Sequence, residues 1–505
     1  MADDDRKLGR GTAWVGIASG ASGVLDLITT ASCLWLWLSP ADLGIATLAG
    51  AMLPVLERLA GVGMSAAMVR QGDGDRRALS TLLWLGAASS LVVLAAVIGL
   101  GPLVGAAFDA PIIGSLLVGY GVKLVLANVH VVPEALLRRE LAFAALTRVR
   151  IAASFGDAIA KLVAAYLGAH GYPELRIWCF AIGPIAGGAI TSIGIQLCRP
   201  WRPLLAFDRA IAASGLRYGA QVAGGELLYF VYTNADYMVI GAVWDKAAVG
   251  AYRLAYELVL DVVRLISLVT AEVAFPAFAR LASHLDDAGA LMIRFTRQNA
   301  IALAPVVVYL AVEAGDLLAV LYPPLEPGAT TAARILCVVG GLRMLSFVLP
   351  AMLAGMGRAG DVLIYHVIAT ILLPLGFAAS AWIAPELGYV AVAWGWAAAY
   401  PLVFAVLLQR ALVRGRVSLA SYLRSISGVG VCGAAAAIGA IAAHAVVPGT
   451  LLRLFAIAAV IVAIYVALIA RIERITPRSV LRMVRGMPEP EVAPPKLEPG
   501  PEPPG

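Results

Sequence analysis

Charge is what this chain has least of. Only 14% of its 505 residues are Asp, Glu, Lys or Arg, while 61% are hydrophobic and the mean hydropathy is +0.87. A soluble domain of this size needs far more charge to stay in solution, so the composition excludes one. Cysteine is scarce as well. Cys33, Cys179, Cys198, Cys337 and Cys432 are odd in number and lie in or beside apolar runs, which excludes a disulfide framework and a CxxC metal site. The five histidines are scattered and form no metal constellation. No Walker-type GxxxxGKS or GxxxxGKT occurs, which excludes a P-loop ATPase. The net charge of +6 and the pI near 9.1 are spread through short segments, so no nucleic-acid partner is expected.

What is there instead is apolar sequence in runs of spanning length. Fourteen are predicted, at 12–38, 43–66, 79–101, 112–133, 148–168, 175–197, 214–242, 249–274, 299–321, 331–355, 361–384, 388–409, 425–447 and 451–471. The first, from Trp14 to Leu38, is too long for a signal-peptide core and reads as a retained helix. The fold class is therefore an all-α polytopic membrane protein. With the N-terminus placed in the cytoplasm, most of the 38 Lys and Arg fall on inside segments and the two tails. Only Arg176, Lys246 and Arg453 fall outside, which is the positive-inside pattern for fourteen helices with both termini cytoplasmic.

One run does not fit a lipid-facing helix. Val249–Ala274 carries Arg253, Glu257, Asp261 and Arg264, at about 0°, 40°, 80° and 20° around an ideal helix. Tyr252, Tyr256 and Glu272 lie close to the same face. Each such charge at a helix centre costs roughly 2.5–3.5 kcal/mol, so the stripe must face other helices or water. Two readings remain. Either the stripe neutralises itself, with Arg253 four residues before Glu257, and locks helices together, or it lines a polar pathway for a charged substrate.

The second half of the chain repeats the first. Ser39–Leu59 lies over Asp245–Leu265 without a gap at a constant offset of 206 residues, matching Ala41 with Ala247, Gly44 with Gly250, Leu48 with Leu254 and Arg58 with Arg264. Six helices separate the two segments, so the repeat is parallel. The organisation expected is an N-lobe of helices 1–6 (1–197), an amphipathic cytoplasmic linker (198–213), a C-lobe of helices 7–12 (214–412), helices 13–14 (413–471) and a tail (472–505). The tail is basic up to Arg485 and then Pro-rich and disordered. Two pseudo-symmetric six-helix lobes place a substrate site between them and favour the pathway reading of the stripe.

Several patches resemble one family. They are LSPADLGIATLAG (38–50), GVGMSAAMVRQ (61–71), PEALLRRELAF (133–143), NADYMVIG (234–241), AAVGAYRLAYEL (247–258) and AFPAFARL (274–281). Together they are similar to the polysaccharide transporters, the Wzx-type oligosaccharide-lipid flippases of the multidrug/oligosaccharidyl-lipid/polysaccharide (MOP) exporter superfamily. The resemblance implies a MATE-like fold and a transporter rather than an enzyme. It implies flipping of an undecaprenyl-pyrophosphate-linked oligosaccharide across the bacterial inner membrane, for exopolysaccharide, capsule or O-antigen. It also implies a cavity lined by helices 1, 2, 7 and 8, and as partners membrane lipids and the polymerase and co-polymerase of the same pathway. A pyrophosphate needs Arg or Lys donors. Arg58, Arg253, Arg264 and Arg343, with Tyr252 and Tyr256, are the candidate substrate-binding residues. Membrane carboxylates are the usual seats of proton or sodium coupling, which makes Asp26, Glu57, Glu226, Asp236, Glu257 and Asp261 the candidates; no other cofactor is implied.

Other charges read as structural. Lys123 and Lys161 are expected to clasp Asp157, Glu313 and Asp316 to reach water at a helix end, and His366 and His444 to be satisfied polar groups. Arg343 reads as isolated within the membrane. The rivals on the same fold are a lipid II-type flippase and a cation-coupled multidrug exporter. A glycan polymerase or ligase is a further rival, but the outside loops are too short to hold its catalytic site.

Overall fold

A computed structural model describes residues 20–61, 76–140, 142–280, 285–323 and 326–472, and the side chains within those stretches except at 139, 217–226, 269, 272–273, 275–276, 279–280 and 285–286. The expectations placed on the N-terminal 19 residues, most of the 61–71 patch, the tail from 473, and the side chains of Glu226 and Glu272 lie outside the described residues.

Among the described residues each predicted run coincides with helix. In order these are α1 (Gly20–Leu36), α2 (Pro40–Gly61), α3 (Arg76–Ala107), α4 (Ile112–Arg139), α5 (Phe143–Ala169), α6 (Leu175–Cys198), α7 (Arg209–Val243) and α8 (Lys246–Tyr256). A π turn (Glu257–Asp261) leads into α9 (Val262–Arg280). There follow α10 (Leu285–Leu321), α11 (Ala329–Ser346), α12 (Val348–Gly355), α13 (Ala359–Ile383), α14 (Val390–Arg414), α15 (Leu419–Val446) and α16 (Thr450–Ile472). Among the described residues eleven helical stretches are long and apolar enough to cross a membrane, α11 and α12 counting as one. The other three predicted runs are described only in part or carry charge: the described residues begin at Gly20 in α1, the described side chains resume at Leu227 in α7, and the α8–α9 run carries Arg253, Glu257, Asp261 and Arg264. Large apolar side chains such as Leu197, Trp382 and Phe455 stand more than 70% exposed, as a lipid-facing surface requires.

The chain packs into two compact units. Met1–Glu257, Leu318–Ile335 and Leu363–Val403 form the first; Leu258–Leu317, Leu336–Val362 and Phe404–Gly505 form the second. In the first, α3 packs on α4, α5 on α6, and α2 on both α7 and α8. Small residues let these backbones close: a Cβ at Gly114 of α4 would lie 2.5 Å from the Gly101 carbonyl oxygen of α3. In the second, Cys432, Ala436 and Ala440 form one i,i+4 row of α15. They pack with Ile457, Ile461 and Tyr465 of α16 and with Ala300 and Ala304 of α10.

Within the linker, residues 199–208 form an extended strap tied to the start of α3. Leu204 N donates to Ser80 Oγ (2.9 Å), Asp208 N to Thr81 Oγ1 (3.1 Å), and Trp84 Nε1 to the Leu204 carbonyl (2.8 Å). Pro200 and Pro203 lack the amide donors a helix would need. Asp208 then caps α7 by accepting from Ala210 N and Ile211 N.

Candidate functional site

The sequence repeat has a structural counterpart where α2 meets α8. Both helices begin with a cap at the same repeat position. Ser39 and Asp42 form a reciprocal box, with Ser39 N donating to Asp42 Oδ2 (2.9 Å) and Asp42 N to Ser39 Oγ (3.2 Å). Asp245, the equivalent of Ser39, accepts from Ala248 N at 2.8 Å. One turn further on the two helices touch through glycine. A Cβ at Gly44 would lie 1.7 Å from the Lys246 carbonyl oxygen, and one at Gly250 would lie 1.9 Å from the Pro40 carbonyl oxygen. Pro40 and Lys246 are equivalents, as are Gly44 and Gly250, so the contact is reciprocal about a local two-fold axis. Only glycine permits this approach.

The same unit holds a cluster of membrane charges. Lys161 of α5, almost wholly buried, donates to Asp26 of α1 at 2.5 Å and lies 5.9 Å from the Phe180 ring centre. Lys123 of α4 donates to Glu57 of α2 at 3.1 Å. The clasp expected on Asp157 is thereby corrected: the lysines are taken by α1 and α2, and Asp157 Oδ1 is buried without a hydrogen-bond partner. Gly183 leaves the space that oxygen occupies, since a Cβ there would lie 2.3 Å from it. Arg253 forms an ion pair with Glu257, both mostly buried. Two tyrosines lie within electrostatic reach of these pairs: Tyr120 of Arg253 and Lys161, and Tyr322 of Glu257, Arg253 and Asp26. Burial first, and then Glu257, push the Tyr322 hydroxyl well above its ordinary pKa, so it stays neutral, and its oxygen is buried without a hydrogen-bond partner. Arg58 lies over the Phe230 ring at 5.5 Å.

Asp236 sits elsewhere in this unit, wholly buried among aromatics. Its Oδ2 accepts from Tyr252 Oη (3.0 Å) and Trp396 Nε1 (2.9 Å), and its Oδ1 from Tyr237 N (2.9 Å). Tyr252 is therefore turned to Asp236 and is itself fully buried, with Tyr256 and Trp396 packed beside it. Replacing Asp236 with Ala strands both donors, each at about 1–3 kcal/mol, and the expected result is a large loss of thermal stability. Asp236→Asn, which keeps an acceptor oxygen, is expected to melt much closer to the natural protein.

The single-face stripe is corrected. Its upper pair, Arg253 and Glu257, stands four residues apart on regular helix. The π turn over Glu257–Asp261 then breaks the 100° rotation on which alignment with Asp261 and Arg264 depends. Those two form their own pair in the second unit, at 3.0 Å. Arg343, expected to be isolated, is buried and engaged. Glu313 does not reach water: it is wholly buried and bonded to His444 at 2.8 Å. His366 is not satisfied, for its Nδ1 is buried without a partner between Tyr229, Tyr232 and Tyr365.

A family model described as "Polysaccharide biosynthesis protein" matches residues 37–323, more than half of the chain. The chain belongs to that family. It is thereby a Wzx-type, flippase-type transporter of polysaccharide biosynthesis and not an enzyme. It is 23% identical over 331 residues to the amylovoran biosynthesis protein AmsL of Erwinia amylovora, covering 65% of this chain and 84% of that one. It is 22% identical over 338 residues to the lipopolysaccharide biosynthesis protein WzxC of Escherichia coli (strain K12), covering 65% of this chain and 66% of the relative. In fold it is similar to the lipid II flippase MurJ in an inward closed conformation. The TM-score is 0.71 at 12% identity, over 91% of this chain and 98% of the other. An inward-facing multidrug resistance MATE transporter of the MOP superfamily gives a TM-score of 0.62 at 17% identity, over 80% and 99%. The family match includes the glycine crossing and every charge of the cluster except Asp26.

Sequence reasoning found Asp26, Glu57, Arg253 and Glu257 as site candidates, read Lys161 and Lys123 as a structural clasp on Asp157 rather than as partners of Asp26 and Glu57, and missed Tyr120 and Tyr322. The signal was present for the lysines. A Lys in the middle of an apolar run is as costly as the carboxylates that were singled out.

Proposed function

We propose that this family member flips a polyprenyl-pyrophosphate-linked oligosaccharide from the cytoplasmic to the periplasmic leaflet of the bacterial inner membrane by alternating access. The reciprocal glycine crossing of α2 and α8 carries the reading. A parallel repeat whose equivalent helix starts meet on a two-fold axis can part and close there as the repeats, 1–197 and 214–412, rock. Counting α1, α7 and the charged α8–α9 run as spans gives fourteen, with both termini cytoplasmic. That orientation puts the crossing at the periplasmic face, closed in this structure.

The head group needs cations at membrane depth. Arg58 and Arg253 of the first unit supply them, and Arg264 and Arg343 of the second are assigned the same role. Arg253, Lys161 and Lys123 are each held by a carboxylate. A proton or sodium ion bound by Glu257, Asp26 or Glu57 would release that cation to the pyrophosphate, which couples ion entry to substrate binding. The polymerase and co-polymerase of the pathway are the expected protein partners.

Deleting the gene in its host is expected to abolish surface glycan and to accumulate the lipid-linked oligosaccharide on the cytoplasmic leaflet. Surface glycan at the normal level would refute the reading. Arg58→Ala with Arg264→Ala is expected to leave protein in the membrane at normal amount and export nothing. Full export by that double variant would remove both arginines from the site.

A further inference from the structure

The second unit carries a separate group of ligand-type side chains where α10 meets α15 and α16. Glu313, Asp316 and His444 each place a ligand atom within 4.8 Å of the other two. Glu313 and Asp316 are three residues apart on one face of α10. His444 stands on the last turn of α15, just before the α15–α16 turn at Gly449, whose φ is +78°. Glu313 is wholly buried. His444 Nδ1 donates to its Oε1 at 2.8 Å, and its Oε2 is buried with no hydrogen-bond partner. An unpaired buried carboxylate oxygen is expensive unless a cation or donor comes to it. Asp316 is half satisfied. Arg453 of α16 reaches it with both Nε (2.6 Å) and a terminal nitrogen, and both bonds go to Oδ2, which leaves Oδ1. The two carboxylates and the one guanidinium sum to −1.

We propose that Glu313, Asp316 and His444 bind a divalent transition-metal ion of the zinc class. One imidazole nitrogen and two carboxylate oxygens are a donor set that zinc accepts, whereas calcium, magnesium and sodium take all-oxygen shells. A tetrahedral zinc ion with bonds of about 2.0–2.2 Å holds its ligand atoms roughly 3.3 Å apart, so the three atoms need close by no more than about 1.5 Å. The ion replaces the His444–Glu313 hydrogen bond with two coordinate bonds and takes up the orphan charge of Glu313. Arg453 stays on Asp316 Oδ2 and orients that carboxylate from behind. The bound ion ties the α15–α16 hairpin to α10. None of the three ligands belongs to the charge cluster of the first unit, so the site stands whether or not the flippase reading does.

The test uses the full-length, untagged chain in detergent, stripped with a chelator and dialysed against zinc. The expected result is one zinc per chain, a raised melting temperature, and, with cobalt in place of zinc, the visible absorption of a tetrahedral centre. His444→Ala should lower affinity at least tenfold. Glu313→Gln keeps the hydrogen bond to His444 while removing the orphan charge, so it should fold and yet lose the metal. Less than stoichiometric zinc in the natural chain, or unchanged zinc binding by folded Glu313→Gln, would overturn the proposal. His170→Ala, at a site remote in sequence from all three ligands, should bind as the natural chain does.

Discussion

Leucine at Gly44 is expected to stop export without removing the protein from the membrane. A Cβ at this position meets the Lys246 carbonyl at 1.7 Å, and the leucine side chain adds three more carbons to the overlap. The obstacle is backbone, which cannot swing aside as a flexible side chain can. Overpacking typically costs about 1–3 kcal/mol, and a clash between two helix backbones belongs at the upper end. About 3 kcal/mol against the closed state is roughly a hundredfold in its population. The variant is therefore expected to hold α2 and α8 apart at their Pro40 and Lys246 ends. Gly250→Leu should do the same from the other side, because its Cβ meets Pro40 at 1.9 Å. A cysteine placed at Ala41 or Ala247 reads the outcome. Its labelling by an impermeant maleimide from outside should rise sharply in either leucine variant. Normal export by Gly44→Leu would show that the crossing never has to close.

Arg253→Ala is expected to lower export by more than tenfold, and its partner decides why. Arg253 is paired with Glu257, and both are mostly buried. Removing one member of a fully buried pair costs about 3–5 kcal/mol; here partial exposure reduces that figure. Stability alone could therefore account for a loss. The double variant Arg253→Ala, Glu257→Ala removes the stranded carboxylate as well. If the pair only locks helices, the double variant regains export. If Arg253 binds the pyrophosphate, the double variant stays inactive while its melting temperature recovers, which is the result expected here. Arg253→Lys keeps the charge but loses the planar fork, so it should fall between the two. Recovery of export by the double variant would return this residue to a structural role.

Much of the architecture was open to reading because it follows from composition and period. Apolar runs predict helices, and each predicted run is helical in the described residues. The repeat was visible as Gly44 over Gly250, and the structure adds what a sequence cannot show, that these two glycines are packed against each other's helix. The stripe was legible as charge and illegible as geometry. A π turn leaves no reliable mark in ELVLD, so Asp261 and Arg264 were rotated by an ideal 100° that the helix does not keep. Pairing was the least legible level. Lys161 is four residues from Asp157, yet it chooses Asp26, 135 positions away, because α1 packs against α5 there. Glu313 lies near the end of an apolar run, where snorkelling is the default expectation. Burial by α15 and a bond to His444 override that default, and neither is written in the local sequence.

A liposome assay decides most directly whether this chain is a flippase. The purified protein is reconstituted with a short glycan linked through pyrophosphate to a polyprenol, and the glycan reaching the opposite leaflet is measured with and without a proton or sodium gradient. Protein-dependent translocation, accelerated by one of the two gradients and lost in Arg253→Ala, is the predicted result. No translocation of the lipid-linked glycan, alongside gradient-driven efflux of organic cations by the same preparation, would contradict it.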